Sequence, residues 1–270
     1  MESKTAWLAS YPKSGNTWVR LLLSTLETND SPNLNRLAGA TTGDKLDQAL
    51  GISLGDLSPS ETAAALRLSW ALTRPKDDNF VRRKTHRAWV EDVDGYPVPW
   101  QPEPARAILV VRDPRAVVAS LAHHMGFSLA ESVAFMGRDQ PRAERFDAHG
   151  EERYLSWSHH TLSWLDGCSL PRLVVHYENL ISDAERELDR MATFLGLPAS
   201  REQIAWAVSQ CNFETLASRE IFEGFRESPT RGKVFFRKGQ VDAWKKELPS
   251  ELAQQIVEDH GPVMGRLGYL

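Results

Sequence analysis

Only two cysteines, Cys168 and Cys211, occur in 270 residues. They form no metal-ligand spacing and no disulfide framework, so a reducing cytoplasm is the expected setting. Long apolar runs are missing too. Stretches such as Ile108 to Val111 are short, whereas a membrane helix needs about 20 residues. Before Ser10 and Pro12 the N-terminal segment offers only Trp7-Leu8-Ala9, too little for a secretory leader. Positive charge is not in excess: 32 Lys and Arg against 36 Asp and Glu leave a net charge of −4. That argues against bulk nucleic-acid binding and still permits a local basic cleft. Two familiar phosphate signatures are absent as well, G-x-x-x-x-G-K-[ST] and G-x-G-x-x-G.

What is present is one strand-turn-helix pattern near the start, Ala6 to Leu26. A short strand (Ala6 to Tyr11) runs into a turn with Lys13, Ser14 and Gly15, and a helix opens near Thr17. Such a turn points backbone N–H groups and the positive end of a helix at one spot, with a lysine beside it, which suits a phosphate or sulfate. The length and the ordinary balance of apolar and charged residues fit one α/β domain over residues 1–270.

Further along, FVRRKT reads as a strand ending at His86, and ligands of open α/β sheets sit at that strand edge. Ile108 to Val111 is a strand covered on both faces. Arg112 ends it, Asp113 can cap the next helix and Pro114 suits its first position. Ser120 lies two turns along that helix and can flank an anion together with Arg112. Leu170 to Leu180 holds another buried strand ending at Tyr177. Asp183 opens an amphipathic helix stopped by Gly196 and Pro198, and another helix spans about Arg201 to Gln210. In the stretch that follows, Phe213, Leu216 and Phe222 are expected against the sheet. Trp157 and Trp164 are expected on one core-facing side of a helix. The pairs His123-His124 and His159-His160 do not easily present two nitrogens to one metal, because helical neighbours diverge; both read as structural or solvent-facing. Residues 28–79 and 126–153 read as acceptor-binding or lid segments, since long polar loops carry such roles.

YPKSGNTW (Tyr11 to Trp18) resembles the 5′-phosphosulfate loop YPKSGTTW of sulfotransferases that use 3′-phosphoadenosine 5′-phosphosulfate (PAPS), with Asn16 in place of Thr. KTH at Lys84 to His86 resembles the family segment KTHLP, though Arg87 and Ala88 replace Leu-Pro. The Arg112/Ser120 helix resembles the family's 3′-phosphate motif, HYEN at 176–179 its FYED strand, and Arg237-Lys238-Gly239 its RKGxxGDWK segment, with Asp242-Ala243 where the family has Gly-Asp. The resemblance spans Trp7 to Lys245. It implies an α/β domain with a central, mainly parallel sheet flanked by helices and a P-loop-like strand-loop-helix.

It also implies sulfuryl transfer from PAPS to a hydroxyl of a small-molecule acceptor, leaving 3′-phosphoadenosine 5′-phosphate (PAP) and needing no metal. Under that resemblance Lys13 stabilises the leaving group and His86 is the base. Lys13, Ser14, Gly15, Asn16 and Thr17 hold the 5′-phosphate, Trp18 and Tyr177 lie at the adenine, and Arg112, Ser120, Arg237, Lys238 and Gly239 hold the 3′-phosphate. No nucleic-acid partner and no membrane insertion are expected, and the oligomeric state, homodimer included, stays open. The competing readings are a nucleotide kinase with an aberrant loop and a non-catalytic PAPS or PAP sensor. The acceptor itself is not legible.

Overall fold

The computed structural model describes residues 5–37, 81–91, 97–98, 105–139, 154–228 and 234–270, with scattered positions between 51 and 68. Much of the expected acceptor segment 28–79, and 140–153 of the expected lid, lie outside the described residues.

Four parallel strands form the central sheet: β1 (Thr5–Ser10), β2 (Val81–Thr85), β5 (Ala105–Val111) and β6 (Arg172–His176), in the order β2-β1-β5-β6. Thr5 of β1 aligns with Val81 on one side and Ala105 on the other, and Ile108 of β5 aligns with Leu173. After β1 the chain first adds β2 on one flank, then crosses to add β5 on the opposite flank. The order therefore reverses at β1, which opens a crevice beyond its C-terminal end. A small antiparallel pair, β3 (Val90–Glu91) and β4 (Pro97–Val98), lies apart from this sheet.

β1 is buried along its whole length, as a central parallel strand must be when helices cover both faces. Alternation sorts its side chains. Ala6 and Leu8 join Ile108, Val110 and Val175 in one core with helix α1 (Asn16–Thr28). Trp7 and Ala9 join Ala107, Leu109, Val111 and Trp164 in the other. Leu8 is fully buried, so Leu8→Ala costs about 2–5 kcal/mol in transfer and cavity terms.

A third cluster lies under helices α2 (Pro114–Met125), α3 (Leu129–Gly137), α4 (Trp157–Leu162) and the C-terminal α10 (Ser250–Arg266), and includes Tyr11, Val117, Trp157 and Met264. Trp157 and Trp164 are both buried but serve different clusters, because the helix continues as a π turn over Ser163–Gly167. The other helices are α5 (Tyr177–Ser182), α6 (Ala184–Leu195), α7 (Arg201–Gln210), α8 (Phe213–Glu223) and α9 (Trp244–Glu247).

Several helix ends follow their sequence signals. Asp113 caps α2 by accepting from the Arg115 N–H at 2.9 Å, with Pro114 at the first position. Asp183 caps α6, and Gly196 ends it in the left-handed conformation. One expectation fails in α8. Leu216 is buried, but Phe213 is 36% and Phe222 87% exposed, so only the Leu216 side of that helix meets the core. Among the described residues no helix is long and apolar enough to cross a membrane.

Candidate active site

The C-terminal ends of β1, β2, β5 and β6 lead directly into Tyr11, His86, Arg112 and Tyr177. All four strands run the same way, so these residues emerge at one edge. Between β1 and α1 the chain turns tightly, with the Ser14 N–H donating to the Tyr11 carbonyl at 3.3 Å. Lys13 has φ 68 and Gly15 φ 104. Gly15 is required twice over. Its φ lies in the region that side chains disfavour, and a Cβ there would come 2.6 Å from the Tyr177 ring. No side chain caps α1, which leaves its first amides to an incoming anion.

The Lys13 ammonium lies 3.9 Å from the centre of the Phe235 ring. Burial first, then the neighbouring charges of Lys84 and Arg112, push its pKa down to about 7. A carboxylate balances the cations. Glu227 Oε2 accepts from Arg20 Nη2 at 2.6 Å, from Thr17 Oγ1 at 3.2 Å and from Lys84 Nζ at 3.3 Å. Burial alone would raise the Glu227 pKa; Lys84 and Arg20 outweigh it and bring it to about 2. Sequence reasoning missed Glu227, which lies in no motif and 210 residues from Thr17.

His86 is half-buried at the end of β2, with Nδ1 2.8 Å from the Ser10 carbonyl and 3.2 Å from the Ser10 hydroxyl. A carbonyl can only accept, so Nδ1 carries the proton and Nε2 keeps its lone pair. Burial, followed by Lys84, holds the pKa well below the usual imidazole range. The ring is therefore neutral at pH 7.

Arg112 links two motifs. It donates through Nη1 to the Lys13 carbonyl at 3.1 Å, and its guanidinium stacks on Tyr177 at 4.2 Å. Tyr177 in turn covers Gly15, so the loop, Arg112 and Tyr177 form one unit. Ser120 is half-buried, two turns along α2 from Arg112, and makes no hydrogen bond among the described residues. Arg237 and Lys238 both pair with Glu247, Arg237 through Nη2 at 2.8 Å. Gly239, at φ 61, leaves no room for a Cβ, which would lie 2.5 Å from the Phe213 ring.

Two expected contacts take a different form. The Asn16 amide donates to the Leu8 carbonyl at 2.9 Å and to the Ser10 hydroxyl at 3.3 Å. It braces the helix start against β1, so its side chain is no phosphate donor; the backbone N–H alone remains for that. Trp18 donates its indole N–H to the Cys211 carbonyl at 2.8 Å and meets Tyr177 edge-on at 6.0 Å. Its ring edge is anchored, and Tyr177 stands beside it. His124, expected to be structural or solvent-facing, lies within electrostatic reach of Lys13 and Lys84.

The residues fit a doubly phosphorylated nucleotide. Ser14 Oγ and Arg112 Nε are buried without a partner among the described residues, and such groups call for a ligand or water. Turn amides, Lys13 and Lys84 suit one anion, and Arg112 suits another. Among the described residues no group of three or more His, Cys, Asp or Glu could hold a metal ion.

Comparisons with known proteins identify the family and the fold. The model of the family described as "Sulfotransferase domain" matches residues 3–268. Cytosolic sulfotransferase 12 of Arabidopsis thaliana is 31% identical over 159 residues, 56% of this chain and 47% of that protein, so the match spans about half of that relative. Cytosolic sulfotransferase 9 of the same plant is 24% identical over 284 residues, 92% of this chain and 75% of that protein. Among solved structures, a mouse sulfotransferase complexed with PAP is similar at a TM-score of 0.64 and 21% identity, over 98% of this chain and 85% of that one. Retinol dehydratase in complex with androsterone and PAP is similar at 0.62 and 18%, over 96% and 80%. At these identities the structural likeness speaks to the fold.

Proposed function

The chain belongs to the sulfotransferase domain family, and from that premise we propose that it moves the sulfuryl group of PAPS to a hydroxyl of a small-molecule acceptor, releasing PAP. The observation that carries this reading is the Arg112 bridge: one guanidinium holds the Lys13 carbonyl while resting on Tyr177. It joins the two anion grips that a 3′,5′-bisphosphorylated nucleotide needs and that a triphosphate does not.

Bound PAPS supplies an activated sulfuryl group on a phosphate leaving group. The loop amides from Gly15 to Thr17, the Ser14 hydroxyl and Lys13 hold the 5′ end. Arg112, Ser120, Arg237, Lys238 and the Gly239 amide hold the 3′-phosphate, with Trp18 and Tyr177 at the adenine. Lys13 neutralises the charge that develops on the leaving oxygen, where a fixed cation has most effect. The neutral Nε2 of His86 takes the proton of the acceptor hydroxyl as the new S–O bond forms. Nδ1–H, bonded to the Ser10 carbonyl, holds the ring in that tautomer and stabilises the imidazolium that results. Negative charge brought by the nucleotide offsets Lys84 and Arg20, which add to burial in depressing the His86 pKa in the free protein. None of these roles calls for Mg²⁺. The setting we assign is the cytosol, as for the relatives named cytosolic sulfotransferases.

The test is transfer from PAPS to a panel of phenols and alcohols in chelator, alongside calorimetric titration with PAP. Turnover without Mg²⁺ supports the reading. PAP binding without turnover of any acceptor would leave a sensor, and a need for ATP and Mg²⁺ would leave a kinase.

A further inference from the structure

His124 is a polar group near the reacting centre to which the mechanism gives no task. It sits in the last turn of α2, next to His123, whose Nε2 is 3.0 Å from the Val234 carbonyl. That bond pins the end of α2 to the segment that carries Phe235. Phe235 then stands between two functional groups: the Lys13 ammonium lies 3.9 Å from its ring centre, and the His124 ring meets it edge-on at 6.3 Å. His124 is therefore one aromatic ring away from Lys13. Burial, with Lys13 and Lys84 acting next, lowers its pKa to about 4, so the ring is neutral at pH 7.

His124 Nδ1 is buried and has no hydrogen-bond partner among the described residues. Pure packing on Phe235 would be served by an apolar ring, with no orphaned nitrogen to desolvate. In the neutral ring one nitrogen carries the proton and the other accepts, and no contact on Nδ1 commits it to the donor role. His86 differs, because its Nδ1 is already committed to Ser10.

We propose that His124 determines acceptor specificity: its Nδ1 accepts a hydrogen bond from a second hydroxyl of a polyhydroxylated acceptor, while His86 takes the proton of the hydroxyl that is sulfated. This rests on the transfer reaction above. It assigns the substrate class as diols, such as catechols or sugars, in preference to lone alcohols.

The experiment compares phenol with catechol as acceptors in wild type, H124F and H124N, with PAP affinity measured for each. Wild type has the lower KM for catechol. H124F raises the catechol KM about tenfold, the worth of one buried hydrogen bond, and leaves kcat and the phenol KM within about twofold. H124N, whose amide oxygen can stand in for Nδ1, restores most of the preference. PAP binds all three alike. A wild type with no preference for catechol overturns the proposal, and so do equal changes for both acceptors. A fall in kcat on both, with loss of the acidic limb of the pH profile, would make His124 the base instead. If PAP does not bind wild type, the transfer reading falls first and takes this one with it.

Discussion

Lys13 carries the most exposed quantitative consequence. Its pKa stands at about 7 in the free protein, against an ordinary lysine value of 10.5, because the ammonium is desolvated over Phe235 and shares its surroundings with Lys84 and Arg112. An anionic nucleotide outweighs burial and like-charge repulsion together, since it supplies opposite charge to the same ammonium. Binding PAP must then take up a proton whenever the free lysine has lost its own. With the bound pKa back at the ordinary value, the apparent dissociation constant rises about fiftyfold between pH 7 and pH 9, or about 2.3 kcal/mol. Between pH 6 and pH 7 it changes about twofold or less on this account.

Calorimetric titration in two buffers of different ionisation enthalpy reads the linked proton directly. At pH 8 uptake is about 0.9 proton per PAP bound. Lys13→Arg keeps the charge at every pH, so this variant loses the steep alkaline weakening while its affinity at pH 7 stays within about tenfold. A wild-type affinity that is flat from pH 7 to 9, or proton release in place of uptake, would refute the assignment of Lys13 to the bound phosphate.

Three further outcomes follow from the other contacts. His86→Ala lowers kcat by about 100-fold or more, the range of a general base, and leaves PAP affinity within about twofold; single-turnover and calorimetric measurements separate the two, and a loss under about tenfold would send the search to another base. Arg112→Ala weakens PAP by about 100-fold, as expected for charge-assisted bonds to a phosphate. It weakens 5′-AMP only by about threefold through the lost brace at the Lys13 carbonyl; equal losses would contradict a 3′-phosphate contact. Glu227→Gln lowers stability at pH 7 by about 2 kcal/mol, and the gap from wild type narrows by about 1 kcal/mol at pH 4. The sign follows from a carboxylate held at about 2. Its stabilisation is complete above the ordinary 4.5 and is lost as pH falls toward 2. Urea midpoints of both proteins at pH 7 and pH 4 check this, and a constant gap would disprove it.

Local chemistry explains what could be read from the chain alone. The β1–turn–α1 unit is legible because its signals are contiguous: buried strand, lysine, glycine, helix. The same holds for Asp113-Pro114 as a helix start, and for His86 at a strand end. Asn16 misleads because its residue type permits phosphate contact, while its geometry commits the amide to Leu8 and Ser10. Glu227 is invisible in sequence, since only the tertiary fold brings it to Thr17, Arg20 and Lys84. His123 and His124 are neighbours in sequence, yet their rings face different partners, the Val234 carbonyl and Phe235, which only the fold reveals. Phe222 belongs to an apolar pattern in α8 that the structure leaves outside, 87% exposed.

Arg237 and Lys238 rest on Glu247, the last residue of α9. This arm arrives with its own counter-ion, so a phosphate reaching it meets cations that are already neutralised. Engagement becomes an exchange: one carboxylate is released to water and one phosphate is taken up. A free inorganic ion gains little by evicting Glu247. A nucleotide already tethered by its other end gains more, because its second phosphate is presented at high effective concentration. On the proposed reading of this arm, the second phosphate is gripped most readily once the first is seated.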